Sequence, residues 1–500
     1  MKKLSGVLLL SLFSLAAAAS AEIRLPHVIS DHTVLQRNAP IHIWGWSDPE
    51  EKVTVRFHAQ TRSAEANAQG EWSLWLMPEQ AGGPYTLTAE GGTDSAAVTV
   101  SDVLVGDVWV ASGQSNMEMP LKGFPGSAVV KNSEQEIRNA TLPQVRLLRI
   151  KHRSSDVPVE DVDGTWTLCT PETAADFSAV AYFFGREINR KEHVPIGLID
   201  TTWGGTPVAS WISLDGISAD ASLMPIFAAR ARFADEQSNV ARVIAAEKRA
   251  DDAAAAAHRP APKHRWHPDE SSWRPAGLFN GMIAPLTPYS IKGAIWYQGE
   301  SDSDPAAAPI YGRSFSAMIG DWRSHWQQGD FPFLFVQISS YKSDGDLWGV
   351  VRDQQRRTLA VKNTAMAVSL DVGTPDNVHP PDKQTVGGRL AMAARGLVYG
   401  ESVDGSGPLF RQATGEQSGM RVWFDHDAGL TAKGGPLTGF EIAGPDRQFV
   451  PATAAIQGSS ILVTNDAVKN PRYVRYAWQN VTDANLYNGA GLPASTFTSE

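Results

Sequence analysis

Four polar segments of the chain contain residue types that can hydrolyse an ester, although they are far apart in the sequence. They are Gly113-Gln-Ser-Asn-Met-Glu118, Trp203-Gly-Gly-Thr206, Gln298-Gly-Glu-Ser301 and Asp376-Asn-Val-His379. A serine hydroxyl becomes a good nucleophile when a base removes its proton, and histidine, with an unperturbed pKa of about 6.5, can do so at neutral pH. The imidazole needs an acceptor on its second nitrogen. We therefore predict Ser115 as the nucleophile, His379 as the base and Asp376 as the acid that orients the histidine.

Hydrogen-bond donors for a developing oxyanion are the second requirement of acyl transfer. Gly205 offers a backbone N–H that no side chain shields, Gln298 offers a side-chain amide, and Ser115 offers its own N–H. We predict these three as the oxyanion hole, although Gly204 and Gly205 also fit a plain tight turn. The chain has no Gly-x-Ser-x-Gly motif, so the nucleophile elbow of the α/β-hydrolases is absent.

The elements that must position these residues are five apolar runs, each followed by glycine or polar residues. The runs are Val108-Trp-Val-Ala111, Ile196-Gly-Leu-Ile199, Gly293-Ala-Ile-Trp296, Phe333-Leu-Phe-Val336 and Ala365-Met-Ala-Val368. Such runs are typical of strands buried on both faces of a parallel sheet. Helical patterns over about 177–188 and 386–397 alternate with them, so we predict an α/β layer. Open α/β sheets bind ligands at the carboxyl ends of their strands, which is where the polar segments fall.

The remaining parts of the chain have a different pattern of apolar and polar residues. Residues 22–100 and 401–500 carry short alternating runs, such as His42-Ile-Trp-Gly-Trp46, separated by glycine, proline and aspartate. This spacing predicts an N-terminal β-sandwich domain and a C-terminal β-rich domain around a hydrolase domain at 101–400. An Ala-, Arg- and Glu-rich stretch at about 215–272 predicts a helical insertion, either a lid near the site or a solvated spacer.

Composition and charge narrow the class of protein. The 500 residues are 42% hydrophobic and 20% charged, which is typical of a globular chain and excludes a disordered, collagen-like or coiled-coil protein. Forty-four Lys and Arg against 54 Asp and Glu give a net charge of −10, with no basic cluster. This balance argues against a nucleic-acid or anionic-membrane partner.

The N-terminus predicts export. Lys2 and Lys3 precede an apolar run that ends at Leu15, and small residues follow up to Ala21. We predict that residues 1–21 are a cleaved signal peptide, since the run is too short to span about 30 Å of hydrocarbon as an anchor. The mature chain would then be periplasmic or secreted, with no membrane span. Its one cysteine, Cys169, cannot form an intramolecular disulfide and is predicted to be a packed side chain.

The polar segments resemble those of the SGNH hydrolases, and more closely the sialate O-acetylesterase branch of carbohydrate esterases. The matching blocks are Ser112-Gly-Gln-Ser-Asn-Met-Glu118, Ile199-Asp-Thr-Thr-Trp-Gly-Gly-Thr-Pro-Val-Ala-Ser-Trp211, Leu278-Phe-Asn-Gly-Met-Ile-Ala-Pro-Leu286, Ile295-Trp-Tyr-Gln-Gly-Glu-Ser301 and Asn377-Val-His-Pro380. The similarity runs from about Leu25 to Pro493 and so covers nearly the whole mature chain.

The resemblance implies a fold, an activity and a set of site residues. It implies an SGNH-type (flavodoxin-like) three-layer sandwich flanked by β-sandwich domains. It also implies a serine acetylesterase, without metal or cofactor, that acts on O-acetylated sugars such as sialic acid, xyloglucan or xylan. Ser115 takes the nucleophile position, His379 the base, and Gly205 and Gln298 the oxyanion donors. Asp376 fits the Asp-x-x-His spacing of the family.

Three alternatives remain open on the sequence. Some relatives carry the acid one position later, where this chain has Asn377, and Asp371 is then the nearest substitute. The 16 Trp residues and the β-rich ends also fit a noncatalytic carbohydrate-binding protein, although Trp more often fills cores. A metal-dependent deacetylase would have to use His258, His264 and His267, which lie in a Pro-rich stretch without a carboxylate cluster.

Overall fold

The computed structural model describes residues 22–92, 96–126, 128–262, 264, 267–416 and 419–500. The predicted signal peptide at 1–21 lies outside these residues. The N-terminal strands are β1 (Val34–Gln36), β2 (Ile41–Trp46), β3 (Lys52–Phe57), β4 (Gln60–Glu65), β5 (Glu71–Leu76), β6 (Gly82–Glu90) and β7 (Val98–Gly113). β2 and β5 form an antiparallel pair, and β4, β3, β6 and β7 are joined in that order by antiparallel pairing. Alternating buried and exposed residues in β2 and β5 give each strand one inner face.

β7 belongs to two sheets at once. Its first half pairs antiparallel with β6, up to Val105, and its second half pairs parallel with two strands of the central sheet. The boundary expected near residue 100 therefore falls inside a strand. Because one strand carries both hydrogen-bond ladders, the N-terminal region is joined directly to the central sheet.

The central sheet contains the five predicted apolar runs. In addition to β7, its strands are β8 (Leu142–Arg149), β9 (Trp166–Cys169), β10 (Ile196–Thr202), β11 (Gly293–Tyr297), β12 (Phe333–Gln337) and β13 (Thr364–Val368). The order is β13-β12-β11-β7-β10-β8-β9, and every pairing is parallel except that of β9 with β8. β10, β11 and β12 are buried at every position, as expected for strands covered on both faces.

Helices cover both faces of this sheet. The α-helices of the described residues are α1 (Ser115–Glu118), α2 (Ser133–Arg138), α3 (Pro171–Ala175), α4 (Ala179–Glu192), α5 (Leu214–Ser218), α6 (Pro225–Ala256), α7 (Tyr311–Trp326), α8 (Trp348–Arg357) and α9 (Lys383–Leu397). On one face Trp109 of β7 packs edge-on against Phe184 of α4, which also packs against α9. On the other face Trp296 of β11 stacks on Phe315 of α7. The predicted α/β class with a mostly parallel sheet is confirmed.

The start of α9 differs slightly from the sequence prediction. The predicted pattern covered about 386–397, but the helix begins earlier, at Lys383, where the Asp382 side chain accepts a hydrogen bond from Thr385 N and caps it. Short 3₁₀ helices and one π turn complete the connections. They are Val208–Trp211, Ala221–Leu223, Glu270–Trp273, Phe279–Ile283 (π), Ala284–Leu286, Glu300–Asp302, Ala308–Ile310, Thr358–Ala360 and Leu370–Val372.

The C-terminal region consists of small antiparallel sheets. Its strands are β14 (Leu409–Glu416), β15 (Gly419–Asp425), β16 (Thr431–Ala432), β17 (Phe440–Ala443), β18 (Val450–Pro451), β19 (Thr453–Gln457), β20 (Ser460–Thr464), β21 (Tyr473–Tyr476), β22 (Leu486–Tyr487) and β23 (Phe497–Thr498). They pair as β14-β15-β20-β19, β18-β17-β21-β23 and β16-β22. None of the helices in the described ranges is long and apolar enough to cross a membrane.

Candidate active site

The structure brings the four polar segments together at the carboxyl edge of the central sheet. Gln114 directly follows β7, Trp203 follows β10 and Gln298 follows β11. Backbone hydrogen bonds join the first segment to the other two, from Gln114 N to Tyr297 O at 3.0 Å and from Trp203 N to Gly113 O at 3.0 Å. The segment that contains His379 reaches the same edge from beyond β13. Neighbouring parallel strands end at one edge, which explains the convergence.

Ser115 and His379 are in direct contact. Ser115 Oγ lies 2.8 Å from His379 Nε2, although 264 residues separate them in the chain. Ser115 is the first residue of α1 and is partly exposed, so its hydroxyl is accessible at the sheet edge. The His379 ring is held on another side by Phe124, edge to face at 5.1 Å. This is the contact that a serine nucleophile needs with its base.

The surroundings keep the His379 imidazole neutral. Burial lowers its pKa to about 4, the positive charge of Lys383 acts in the same direction, and the negative charge of Glu118 opposes both. A neutral imidazole is the form that can accept the serine proton. The histidine is therefore in its basic form throughout the neutral range.

The two acidic candidates lie in different settings. Asp376 is exposed at the tip of a turn that is closed by hydrogen bonds from Asn377 N to Thr374 O and from Thr374 Oγ1 to Asn377 O. Within the described residues its carboxylate forms no hydrogen bond with His379. Asp371 is engaged elsewhere, since its two oxygens accept hydrogen bonds from Arg389 at 2.6 and 2.7 Å, and one also accepts from Tyr487 Oη at 3.2 Å.

Two of the three predicted oxyanion donors have free N–H groups. Gly205 adopts a positive φ of 73°, which suits glycine, and neither its N–H nor that of Ser115 donates to any described residue. The side-chain amide of Gln298 is fully buried and engaged. Its Nε2 donates to Thr206 O at 3.1 Å and to Asp302 Oδ2 at 2.5 Å. In this conformation Gln298 braces the loop that carries Gly205.

A cluster beside the nucleophile was not recognised from the sequence. Glu118 Oε2 accepts a hydrogen bond from Gly204 N at 2.6 Å, and Glu118 Oε1 lies 3.0 Å from Nε2 of His152. The His152 ring stacks on Trp203 with centroids 4.3 Å apart and planes 6° apart. Glu118 and Trp203 belong to the polar segments predicted to line the site, but no catalytic role was predicted for them, and no local pattern pointed to His152. The cluster fixes Gly204, the residue that precedes the oxyanion glycine.

A buried charged network supports the pair from the other side. Lys383 Nζ donates to Asn116 Oδ1 at 2.5 Å, and Asn116 Nδ2 donates to Glu300 Oε1 at 2.6 Å and to Val378 O at 2.9 Å. Burial lowers the pKa of Lys383 to about 7 and raises the pKa of Glu300. Asn116 follows Ser115 in the chain and Val378 precedes His379. The network therefore holds Ser115 and His379 in position relative to each other.

We expect the low pKa of His379 to be visible in the pH profile. The value of kcat/KM, which reports the free enzyme, should hold as pH falls through 6.5 and drop only near pH 4, because the imidazole stays neutral until then. Lys383→Met removes a nearby positive charge, so the pKa of His379 should rise and the acid limb should move to higher pH. The control is Lys151→Met, an exposed lysine paired with Asp163. Identical acid limbs in both variants would contradict this account.

Two histidines of the Pro-rich stretch, His264 and His267, have carboxylate partners. His264 Nε2 is 2.8 Å from Asp251 Oδ1, and His267 Nε2 is 3.3 Å from Glu247. In the part of the chain that the structure describes, no group of three or more His, Cys, Asp or Glu residues could hold a metal ion. Trp273, which directly follows this stretch, donates from Nε1 to Gly205 O at 2.7 Å, so the chain that leaves the predicted insertion contacts the loop of Gly205.

The site geometry and the comparisons agree on a class of protein. A family model described as "Carbohydrate esterase, sialic acid-specific acetylesterase" matches residues 264–395. The chain is 32% identical to the sialate O-acetylesterase of Homo sapiens over 435 residues, which cover 78% of this chain and 74% of that one. It is 29% identical to that of Mus musculus, over 95% and 92% of the two chains. A solved carbohydrate acetylesterase from Xanthomonas citri is 36% identical, with a TM-score of 0.81 over 96% of this chain and 99% of that one.

The protein is an ester hydrolase of the carbohydrate esterase class, with an α/β core and additional antiparallel sheets. Within that class, the chain belongs to the sialate O-acetylesterase family. The resemblance inferred from the sequence blocks and the prediction of an acetylesterase are confirmed.

Proposed function

We propose that this protein removes acetyl groups from sugar hydroxyls, with Ser115 as nucleophile and His379 as general base. The observation that carries the proposal is the 2.8 Å contact between Ser115 Oγ and His379 Nε2 at the carboxyl edge of the parallel sheet. The natural substrates would be acetylated sialic acid or acetylated hemicellulose oligosaccharides such as those of xyloglucan and xylan. The names of the relatives, which are sialate O-acetylesterases and a carbohydrate acetylesterase, support this substrate class.

The chemistry follows from the positions of these groups. His379 takes the proton of Ser115 as Oγ attacks the acetyl carbonyl, and the negative oxygen faces the free N–H groups of Ser115 and Gly205. As the carbon–oxygen bond to the sugar breaks, His379 returns the proton to the leaving hydroxyl and an acetyl-enzyme forms. Water, deprotonated by the same histidine, then attacks the acetyl group and releases acetate and Ser115.

Asp376 is retained in this proposal as the orienting acid. It precedes His379 by three residues on one loop, whereas the carboxylate of Asp371 is held by Arg389 and Tyr487. The exposed turn at Asp376 would have to swing its carboxylate towards Nδ1 of His379 when substrate binds. Gln298 is also retained as an oxyanion donor. In that role its side-chain amide would have to exchange its hydrogen bond to Thr206 O for one to the substrate.

We expect Asp376→Asn to lower kcat by at least about 10²-fold, since an amide cannot stabilise the imidazolium and favours the wrong tautomer. Asp371→Asn is the matched control, an equally conservative change five residues earlier. It should leave kcat within a few-fold but lower the melting temperature, because it breaks the pairing with Arg389. Steady-state kinetics and thermal melts of both variants measure kcat and the melting temperature. A larger kcat loss in Asp371→Asn would transfer the role to that residue.

The domain architecture and the cellular location of the protein can also be proposed in more detail. We propose an SGNH-type, three-layer core at 101–400 with an insertion at about 215–272, flanked by β-domains at 22–100 and 401–500. Helices on both faces of a mostly parallel sheet support this assignment. We further propose that residues 1–21 direct export, which would make the enzyme periplasmic or secreted, where acetylated glycans are accessible.

The direct test is acetate release from a panel of substrates. The panel is 4-nitrophenyl acetate, O-acetyl sialic acid, and acetylated xylan, xyloglucan and mannan oligosaccharides, each tested with the wild type and Ser115→Ala. Release that depends on Ser115 supports the proposal, and the ranking of kcat/KM among the glycans identifies the sugar. A folded protein that releases no acetate from any of them would contradict the proposal and favour a binding protein.

A further inference from the structure

A row of aromatic rings lies on the outward face of the β2–β5 pair, away from the proposed catalytic site. His42 of β2 is paired in register with Trp75 of β5, and their rings stack with centroids 4.3 Å apart and planes 15° apart. The His42 ring also stacks with Trp44, at 5.0 Å and 19°. Trp75 is 55% exposed although it is a large aromatic residue. The stack covers one face of the Trp75 ring, while His42 and Trp44 are themselves partly buried, so Trp75 supplies the aromatic surface that is open to solvent.

A cavity of about 740 Å³ opens beside these rings, and we name it the Trp75 cleft. Its lining includes His42 and Trp75 and the segments that precede β11 and β12, at Ile291–Lys292 and Phe331–Pro332. A volume in this range is typical of sites for small organic ligands. The cleft therefore lies at the amino ends of β11 and β12, whereas the proposed catalytic residues lie at the carboxyl edge of the same sheet.

The polar groups of the cleft are mainly neutral amides. The side chains of Asn38 and Gln327 line it and form no hydrogen bond with any described residue. Gln328 Oε1 accepts from Ile291 N at 3.1 Å, which leaves its Nε2 without an acceptor among those residues. Such amides can both donate to and accept from sugar hydroxyls.

The charges at the cleft are largely compensated. The Arg37 guanidinium donates to both carboxylate oxygens of buried Asp107, at 2.8 and 2.9 Å, so it is not free to bind an anion. Lys292 lies with Nζ 5.5 Å from the centre of the Tyr399 ring. None of the described residues that line the cleft is an Asp or Glu. The surface combines an aromatic face and free amides with a single positive charge, that of Lys292, which has no carboxylate partner among the described residues.

We propose that the Trp75 cleft is a second glycan-binding site, which takes a short stretch of a neutral polysaccharide chain. The apolar C–H face of a pyranose ring packs on Trp75, and its equatorial hydroxyls meet the amides of Asn38, Gln327 and Gln328. A concave cleft of this volume suits a short sugar chain, whereas a stable protein interface buries about 800 Å² on each partner. An acidic ligand would require a free cation pair, and Arg37 is already paired.

The position of the cleft gives it a role in polymer binding. β11 has five residues, so the cleft and Ser115 are separated by roughly 15–20 Å along the sheet. A glycan held at Trp75 does not enter the proposed catalytic site. It keeps the enzyme on an acetylated polymer and raises the local concentration of acetyl groups. Small soluble esters gain nothing from this site.

The test measures the binding of unacetylated sugars to a variant without the proposed nucleophile. Isothermal titration of Ser115→Ala with unacetylated cello-, xylo- and manno-hexaose should show binding to at least one of them, and Ser115→Ala/Trp75→Ala should weaken the Kd at least about tenfold. The matched control is Met77→Ala in the same background, because Met77 is 60% exposed but does not line the cleft. It should leave the Kd unchanged. Gln327→Ala provides a second cleft variant if Trp75→Ala lowers the melting temperature.

The kinetic arm uses the active enzyme. Trp75→Ala should lower kcat/KM on an acetylated polymer roughly three- to tenfold and leave kcat/KM on 4-nitrophenyl acetate within twofold. Three results would overturn the proposal: no hexaose binds, Trp75→Ala and Gln327→Ala both bind as tightly as their parent, or only a sialylated oligosaccharide binds, which would assign the cleft to an acidic ligand. Because binding is measured with unacetylated sugars, the outcome does not depend on esterase activity.

Discussion

Replacing Ser115 with alanine is expected to lower kcat for acetate release by about 10⁴-fold or more, with the melting temperature nearly unchanged. The variant removes Oγ, the proposed nucleophile, and leaves the proposed oxyanion N–H groups and the binding surface in place. The hydroxyl is partly exposed and its one hydrogen-bond partner is His379, so the fold loses little. Steady-state acetate release and thermal melts measure the two effects separately.

The matched control for this variant is Ser112→Ala, three residues earlier in the same segment. Ser112 Oγ is buried and donates to Thr201 O at 2.7 Å, so its loss should cost stability, about 1 kcal/mol, and not chemistry. Ser115→Ala should thus lower kcat and leave the melting temperature nearly unchanged, whereas Ser112→Ala should lower the melting temperature and leave kcat nearly unchanged. If Ser115→Ala retained the activity of the wild type, the nucleophile would have to be another group.

His379→Ala is expected to have the second large effect, again about 10⁴-fold in kcat. Without Nε2 at 2.8 Å, the Ser115 hydroxyl keeps its proton and the leaving sugar receives none. Because the two residues act as one unit, the double variant Ser115→Ala/His379→Ala should be no slower than either single one. Losses that multiplied in the double variant would mean that the two side chains act independently.

His32→Ala is a suitable control for the histidine variant. His32 Nδ1 lies 2.7 Å from Asp102 Oδ2 in the N-terminal region, remote from the carboxyl edge of the sheet, and its removal should leave kcat unchanged. Equal losses of kcat in His32→Ala and His379→Ala would point to a general loss of structure, and the melts would show it.

The buried network around Asn116 explains how the pair stays aligned while Asp376 is exposed. Asn116 binds the carbonyl of Val378, next to the base, and is itself held by Lys383 and Glu300. Burial makes this network sensitive to each partner, because a buried polar group that loses its hydrogen bond pays a desolvation cost. The alignment of Ser115 with His379 thus rests on contacts from three separate segments.

Much of the core could be predicted from the sequence. Runs of consecutive apolar residues need two covered faces, so β10, β11 and β12 could be recognised as strands of a parallel sheet. Few residue types can act as a nucleophile or base, and strand ends converge, so Ser115 and His379 could be paired before any distance was known. The predictions were weaker where local spacing was the only guide. Asp-x-x-His spacing does not say which way a turn points its carboxylate, and in this structure Asp376 points to solvent.

What the sequence by itself determined was the α/β class, the family and the choice of Ser115 and His379 as the candidate pair, because these depend on residue type and on periodicity along the chain. The tertiary structure alone decided the partners of Gln298, the contact of Glu118 with His152, the pKa of His379 and the open aromatic face at Trp75. Each of these depends on which groups meet in space and how deeply they are buried. These contacts and burials depend on segments that are far apart in the sequence, so no local sequence pattern predicts them.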